Sequence, residues 1–192
     1  MLITLYGINN IGKTTHAQRL VKRLKKNGVD AVYIKYPVYD IKPTGPLINK
    51  ILRSSKKQQL SEYELQLLFV LNRYQFQPTL EKLLKKGTVV IAEDYCGTGI
   101  AWGHAKGAKL KELQLMNTFL VQEDLAILMQ GKRHTSAKET KHLHEQNDQL
   151  VAKVGATLKK LARLYKWKTV EVADDPEVTH ERLYNVIKMA IK

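Results

Sequence analysis

Residues 7–14 read Gly7-Ile8-Asn9-Asn10-Ile11-Gly12-Lys13-Thr14 and fit G-x-x-x-x-G-K-[ST] at every fixed position. Glycines at 7 and 12 permit the tight backbone that turns successive N–H groups toward a phosphate, and a helix beginning there adds its positive end. The context agrees: residues 2–6 form a short apolar strand, and Ala17, Leu20, Val21 and Leu24 recur at helical spacing over residues 13–26. On this loop Lys13 is expected to pair with the β- and γ-phosphates of a nucleoside triphosphate, and the Thr14 hydroxyl to coordinate Mg²⁺. Gly7, Asn9, Asn10, Ile11, Gly12 and Thr15 complete the expected cofactor-binding set.

Beyond the loop, strands and helices alternate. Strands are expected at 31–34, 88–92, 125–129 and 168–172, and helices at 47–52, 61–87, 110–121, 143–165 and 178–191. Residues 35–46, with three prolines, read as a loop, and 97–107 as a Gly-rich turn. Ser61 with Glu64 three residues later has the form of a capping box. This order predicts an α/β fold with a five-stranded parallel sheet and helices on both faces. No internal repeat or linker divides residues 1–192, which are expected to form one domain.

Composition narrows the setting. With 44% hydrophobic and 26% charged residues the chain can bury a core, and disordered or collagen-like classes are excluded. Its longest apolar runs fall far short of the roughly 20 residues that cross a bilayer, so no membrane association is expected. A single cysteine, Cys96, and an N-terminus without a basic leader point to the cytoplasm. Thirty-two Lys and Arg against eighteen Asp and Glu give a charge of +14. These cations are spread at solvent-facing helical spacing, which suits attraction of anionic substrates better than stable nucleic-acid binding.

A triphosphate and its metal need an acidic group at the carboxyl end of a neighbouring strand. Glu93 and Asp94 stand at the end of the third strand, and Glu93, which follows it directly, is the first choice for a catalytic and metal-side role.

The order of motifs resembles the thymidylate kinase family of P-loop nucleoside monophosphate kinases. Tyr36-Pro37 is similar to the family's Phe-Pro segment, and residues 67–74 to its Leu-Leu-Phe-x-x-Asn-Arg-Trp helix. Glu93-Asp94-Tyr95 followed by residues 98–102 resembles Asp-Arg-Tyr-x-x-Ser-Gly-x-Ala-[Phe/Tyr], and residues 144–147 open the helix after the lid as in family sequences. The resemblance implies a three-layer P-loop NTPase fold with a short lid, placed at 131–142, ATP and Mg²⁺ as cofactors, and a homodimer.

It also implies roles for particular residues. Phe69 would stack on a pyrimidine ring, Arg73 would hydrogen-bond to the base, Thr98 would sit beside the base edge, and Trp102 would close the deoxyribose side. Tyr36, Pro37, Asp94 and Tyr95 complete the substrate wall. Among the lid cations Arg133 is the first choice for the transferring phosphoryl group, with Lys138 and Lys141 as substitutes.

Three positions depart from the family. Asn9 stands where an acidic residue is usual, and Tyr39 and Asp94 stand where two arginines hold the acceptor's 5′-phosphate. Lys35 or Lys42 supplying the missing cation is the expected answer. The other answers are Mg²⁺ bridging Asp94 to the phosphate and an acceptor without a phosphate. Accordingly the first function is ATP- and Mg²⁺-dependent phosphorylation of dTMP. The alternatives are a deoxynucleoside kinase acting on a 5′-hydroxyl, with Glu93 as general base, and a nucleotide-binding protein without turnover.

Overall fold

The computed structural model describes residues 1–54, 59–132 and 148–191. Along them run β1 (Leu2–Tyr6), α1 (Lys13–Lys26), β2 (Ala31–Lys35), α2 (Thr44–Leu52), α3 (Glu62–Lys85) and β3 (Val89–Glu93). There follow α4 (Cys96–Ala105), α5 (Leu110–Met116), β4 (Leu125–Gln130), α6 (Asp148–Leu164), β5 (Lys168–Glu171) and α7 (Pro176–Ile191). The strands make one sheet in the order β2-β3-β1-β4-β5, and every pairing is parallel, as the alternation predicts.

The pleat of β1 shows how the sheet serves two cores. Leu2 and Tyr6 join one cluster with Leu80, Ile100, Val154 and Leu158 of α3, α4 and α6. Ile3 and Leu5 join another with Leu20, Leu24, Leu183 and Ile187 of α1 and α7. Successive side chains on a strand point to opposite faces, so a central strand flanked by helices is buried throughout, and β1 is apolar but for Thr4. The register sets Leu5 opposite Glu93 of β3 and Ile127 of β4, which brings the ends of three strands level with the loop that leaves β1.

Where sequence and structure differ, local physics explains the difference. Residues 97–107, read as a Gly-rich turn, are largely helical. A Cβ on Gly97 would collide with the Trp167 ring, and one on Gly99 would stand 2.5 Å from Arg73 Nη2. These glycines therefore serve close packing of a helix rather than a turn. The helix expected over 110–121 stops at Met116, because Asn117 turns its side chain back, Nδ2 donating to the Leu113 carbonyl at 2.7 Å.

Helix α2 starts at Thr44, three residues before the expected 47, since a proline in the first turn, Pro46, lacks only an N–H that has no helical partner there. Helix α7 starts at Pro176 rather than 178, where Asp175 Oδ1 accepts from the Glu177 N–H at 2.8 Å. Glu93 is the last residue of β3 rather than its successor. The capping box is formed: Glu64 N–H donates to Ser61 Oγ at 3.3 Å, and Ser61 N–H to Glu64 Oε2 at 2.7 Å. Most of the expected lid, with Arg133, Lys138 and Lys141, and the expected first turn of the long helix at 143–147 lie outside the described residues.

Candidate active site

The loop after β1 closes against the N-terminus of α1. Gly12 precedes the helix with φ 93°, and Asn10 also lies in the left-handed region at φ 63°. Ile11 is buried in the core beneath the loop, so it anchors the turn while Asn9, Asn10, Gly12, Thr14 and Thr15 line the cleft. Lys13 is 5% exposed, and its Nζ donates to the carbonyls of Gly7 at 2.9 Å and Ile8 at 3.1 Å.

Opposite the loop stand the two carboxylates. Glu93, 3% exposed, accepts from Thr14 Oγ1 at 2.8 Å and from the Tyr33 hydroxyl, and pairs with Lys35 Nζ at 3.2 Å. Burial and the Glu93 carboxylate both push the Tyr33 hydroxyl well above its ordinary pKa. For Lys35, burial pulls the ammonium down, but the facing Glu93 and Asp94 outweigh it and hold the pKa above that of an ordinary lysine. Lys35 also reaches Thr14 Oγ1 at 3.4 Å.

Asp94 takes φ 56°, a conformation that aspartate tolerates better than most residues. Its Oδ1 lies 3.7 Å from Lys13 Nζ and accepts from Thr98 Oγ1 at 2.8 Å. Burial raises the Asp94 carboxyl above its ordinary value against the pull of Lys13. The carboxylate is thus committed to the P-loop lysine and to the first turn of α4.

The remaining wall carries aromatic and guanidinium groups. Phe69 and Arg73 are four residues apart on α3, hence on one face, and both line the cleft together with Thr98, Gly99 and Trp102 of α4. Arg73 is 5% exposed, and its Nη1 donates to Asn117 Oδ1 at 3.0 Å. The ring of Tyr36 stands 4.9 Å from that of Tyr95, and the Tyr36 N–H donates to the Glu93 carbonyl at 2.9 Å. The peptides Tyr36–Pro37 and Lys42–Pro43 are cis. Asn72 pins this segment: its Oδ1 accepts from the Val38 N–H at 2.8 Å, and its Nδ2 donates to the Val38 carbonyl at 2.9 Å and Thr44 Oγ1 at 3.0 Å.

The phosphate loop, the two carboxylates, Lys35, the Tyr36–Tyr95 pair and the Phe69–Arg73 wall border one cleft of about 680 Å³. Tyr33 and Asn117 hold lining residues, and Asn72 holds the segment at Val38, without lining it themselves. Of the described residues singled out for the site in the sequence, Gly7, Ile11 and Lys42 do not line the cleft; Lys42 is exposed, and its carbonyl is held by Gln75 Nε2 at 3.0 Å. Arg133 lies outside the described residues. Four residues were missed. Tyr33 has a signal, because it shares a face of β2 with Lys35 and so with Glu93 across the ladder. Leu52 and Arg53, at the end of α2, also line the cleft and carry no local signal. Asn117 has its signal only in the helix it ends.

Comparison with known proteins agrees with this geometry. The sequence model of the family described as Thymidylate kinase matches residues 5–183. The chain is 27% identical over 198 residues to the thymidylate kinase of Danio rerio, covering 98% of this chain and 92% of that one. It is 36% identical over 111 residues to the thymidylate kinase of African swine fever virus, covering 58% and 45% of the two chains. The solved structure of thymidylate kinase from Candida albicans superimposes with a TM-score of 0.81 at 24% identity, covering 100% of this chain and 93% of that chain.

Proposed function

Since this chain belongs to the thymidylate kinase family and transfers a phosphoryl group from ATP to dTMP, we propose that the two substrates meet in the cleft between the P-loop and the Phe69–Arg73 wall. The observation that carries this reading is that Lys13, Thr14 and Glu93 border the same cleft as Phe69, Arg73, Thr98 and Trp102. A triphosphate end and a flat-base end are thereby joined.

Family membership selects dTMP among the functions left open by the sequence, and the chemistry of Glu93 follows from it. In the transfer, an oxygen of the dTMP phosphate bonds to the γ-phosphorus, the bond to the β,γ-bridging oxygen breaks, and ADP leaves. Phosphate monoesters have a second pKa of about 6, so the attacking oxygen already carries charge at neutral pH. A general base is not needed. Glu93 instead accepts from Thr14 and holds that hydroxyl in place at the mouth of the loop. Lys13 exchanges its loop carbonyls for the β- and γ-phosphates, and Arg73 meets a base carbonyl beside the stacked Phe69.

A hydroxyl and a carboxylate 2.8 Å apart form a hard-oxygen pair suited to Mg²⁺. Among the described residues no group of three or more His, Cys, Asp or Glu could hold a metal by itself, which fits an ion completed by substrate oxygens and water. Bound there, Mg²⁺ would neutralise charge on the β- and γ-phosphates. Arg133, within a lid at 131–142 of a single domain, is the cation assigned to the transferring group. A homodimer is supported by the half-exposed Leu67, Leu71 and Tyr74, spaced i, i+4, i+7 on α3.

Release of ADP tests this reading. With ATP and Mg²⁺, dTMP should drive release and EDTA should abolish it, and light scattering should give twice the chain mass. Turnover independent of dTMP would overturn the assignment of the acceptor wall.

A further inference from the structure

The acceptor brings a dianionic 5′-phosphate into the cleft, and this proposal rests on the reading of the acceptor as dTMP. Among the described residues four cations border the cleft: Lys13, Lys35, Arg53 and Arg73. Lys13 belongs to the triphosphate. Lys35 is paired with Glu93 and reaches Thr14, on the metal side of the site. Arg73 is anchored to Asn117 at the base end. Of the two positions where the resemblance expects arginines, one carries Asp94, tied to Lys13 and Thr98, and the other carries Tyr39.

Arg53 stands directly over that tyrosine. Its guanidinium carbon lies 5.4 Å from the centroid of the Tyr39 ring, within cation–π range, and its Nη1 donates to Asn49 Oδ1 one turn earlier on α2. An aromatic ring and an amide oxygen thus hold the guanidinium from two directions. A guanidinium has five N–H donors in a planar fork, and the fork matches phosphate oxygens. We propose that Arg53 binds the 5′-phosphate of dTMP, with the Tyr39 ring as the platform that aims it.

The wall that receives the phosphate is then the end of α2 and the loop after β2, not the strand end where Asp94 stands. That separation explains how a carboxylate at position 94 coexists with an anionic acceptor: Asp94 is turned to Lys13, and the phosphate to Arg53. Lys42, outside the cleft, has no part in it.

The test compares dTMP with thymidine, which has the same base and sugar but no phosphate, by calorimetry and steady-state kinetics on the full chain. Arg53→Ala should weaken dTMP binding roughly 10- to 100-fold, the range of one charge-assisted hydrogen bond, and raise the dTMP KM in step. Thymidine binding should stay within about twofold, and the KM for ATP should not move. Arg53→Lys should recover part of the loss, since a lysine restores charge without the fork. Tyr39→Leu should give a smaller loss with the same selectivity for dTMP. Equal weakening of dTMP and thymidine, or no weakening of either, would overturn the proposal. If the unaltered protein turns over dTMP while Arg53→Ala keeps its preference for dTMP over thymidine, the assignment of Arg53 alone fails. If the unaltered protein does not turn over dTMP, the acceptor reading fails and this proposal with it.

Discussion

Thr14 and Glu93, seventy-nine positions apart in the chain, meet at the mouth of the phosphate loop, Thr14 Oγ1 donating to Glu93 Oε1 at 2.8 Å. Thr14 lies in the first turn of α1 and Glu93 closes β3, and the parallel register that sets Leu5 opposite Glu93 brings them together. From β2, Lys35 pairs with the same Oε1 and the Tyr33 hydroxyl donates to Oε2 of that carboxylate.

Glu93→Gln keeps an acceptor for the Thr14 hydroxyl and removes the charge. The expected result is a fall in kcat of about 10²- to 10³-fold, the size of losing one well-placed electrostatic group. The KM for dTMP should change little, and activity should need more Mg²⁺. Initial rates over a Mg²⁺ series check this, and an unchanged kcat contradicts it.

Lys13→Ala removes the ammonium that the loop carbonyls now hold. Catalysis should fall by about 10²-fold or more, while ATP affinity falls less because the backbone N–H groups of the loop persist. Single-turnover rates beside ATP titrations separate the two effects.

At the base end, Phe69→Ala should raise the dTMP KM by the worth of one aromatic–base stack, about 1–3 kcal/mol. Gly99→Ala places a Cβ 2.5 Å from Arg73 Nη2, so the guanidinium that Asn117 positions must move. Its dTMP KM should rise while the KM for ATP stays. Kinetics with both substrates varied decide each case.

The pair His16 and His180, ring centroids 6.2 Å apart between α1 and α7, gives a pH prediction. Burial, then the charges of His180 and Arg19, lower His16 from 6.5 to about 4, against the weaker pull of Glu177. Burial and Arg19 and Arg23 lower His180, against Glu181 and Glu177. A base whose folded pKa is lowered binds protons first in the unfolded chain. Its contribution to stability is therefore whole above pH 6.5 and is lost as the pH falls toward 4. Urea midpoints between pH 7.5 and 4.5 should fall, and His16→Gln should flatten that dependence.

How much of this the sequence foretold depended on the range of the interaction. The P-loop, the capping box at Ser61 and the parallel sheet follow from local spacing and period, so they were readable. Helix α4 was not, because its glycines answer to Trp167 and Arg73, far away in the chain. The same holds for Asp94. Its contact with Lys13 depends on how the end of β3 aligns with the loop that leaves β1, which no local pattern records. Arg53 has no neighbouring motif, and the role proposed for it rests on its contact with the Tyr39 ring, fourteen positions away.

The central claim is that one cleft joins ATP at the P-loop to dTMP at the Phe69–Arg73 wall. Its most direct test is kcat/KM with MgATP for dTMP, thymidine, dAMP and dGMP, measured side by side. The account predicts that dTMP exceeds each of the others by about 100-fold or more, since each lacks either the phosphate contact or the fit to the base wall, worth a few kcal/mol. Equal values for dTMP and the purine monophosphates, or a preference for thymidine, would contradict it.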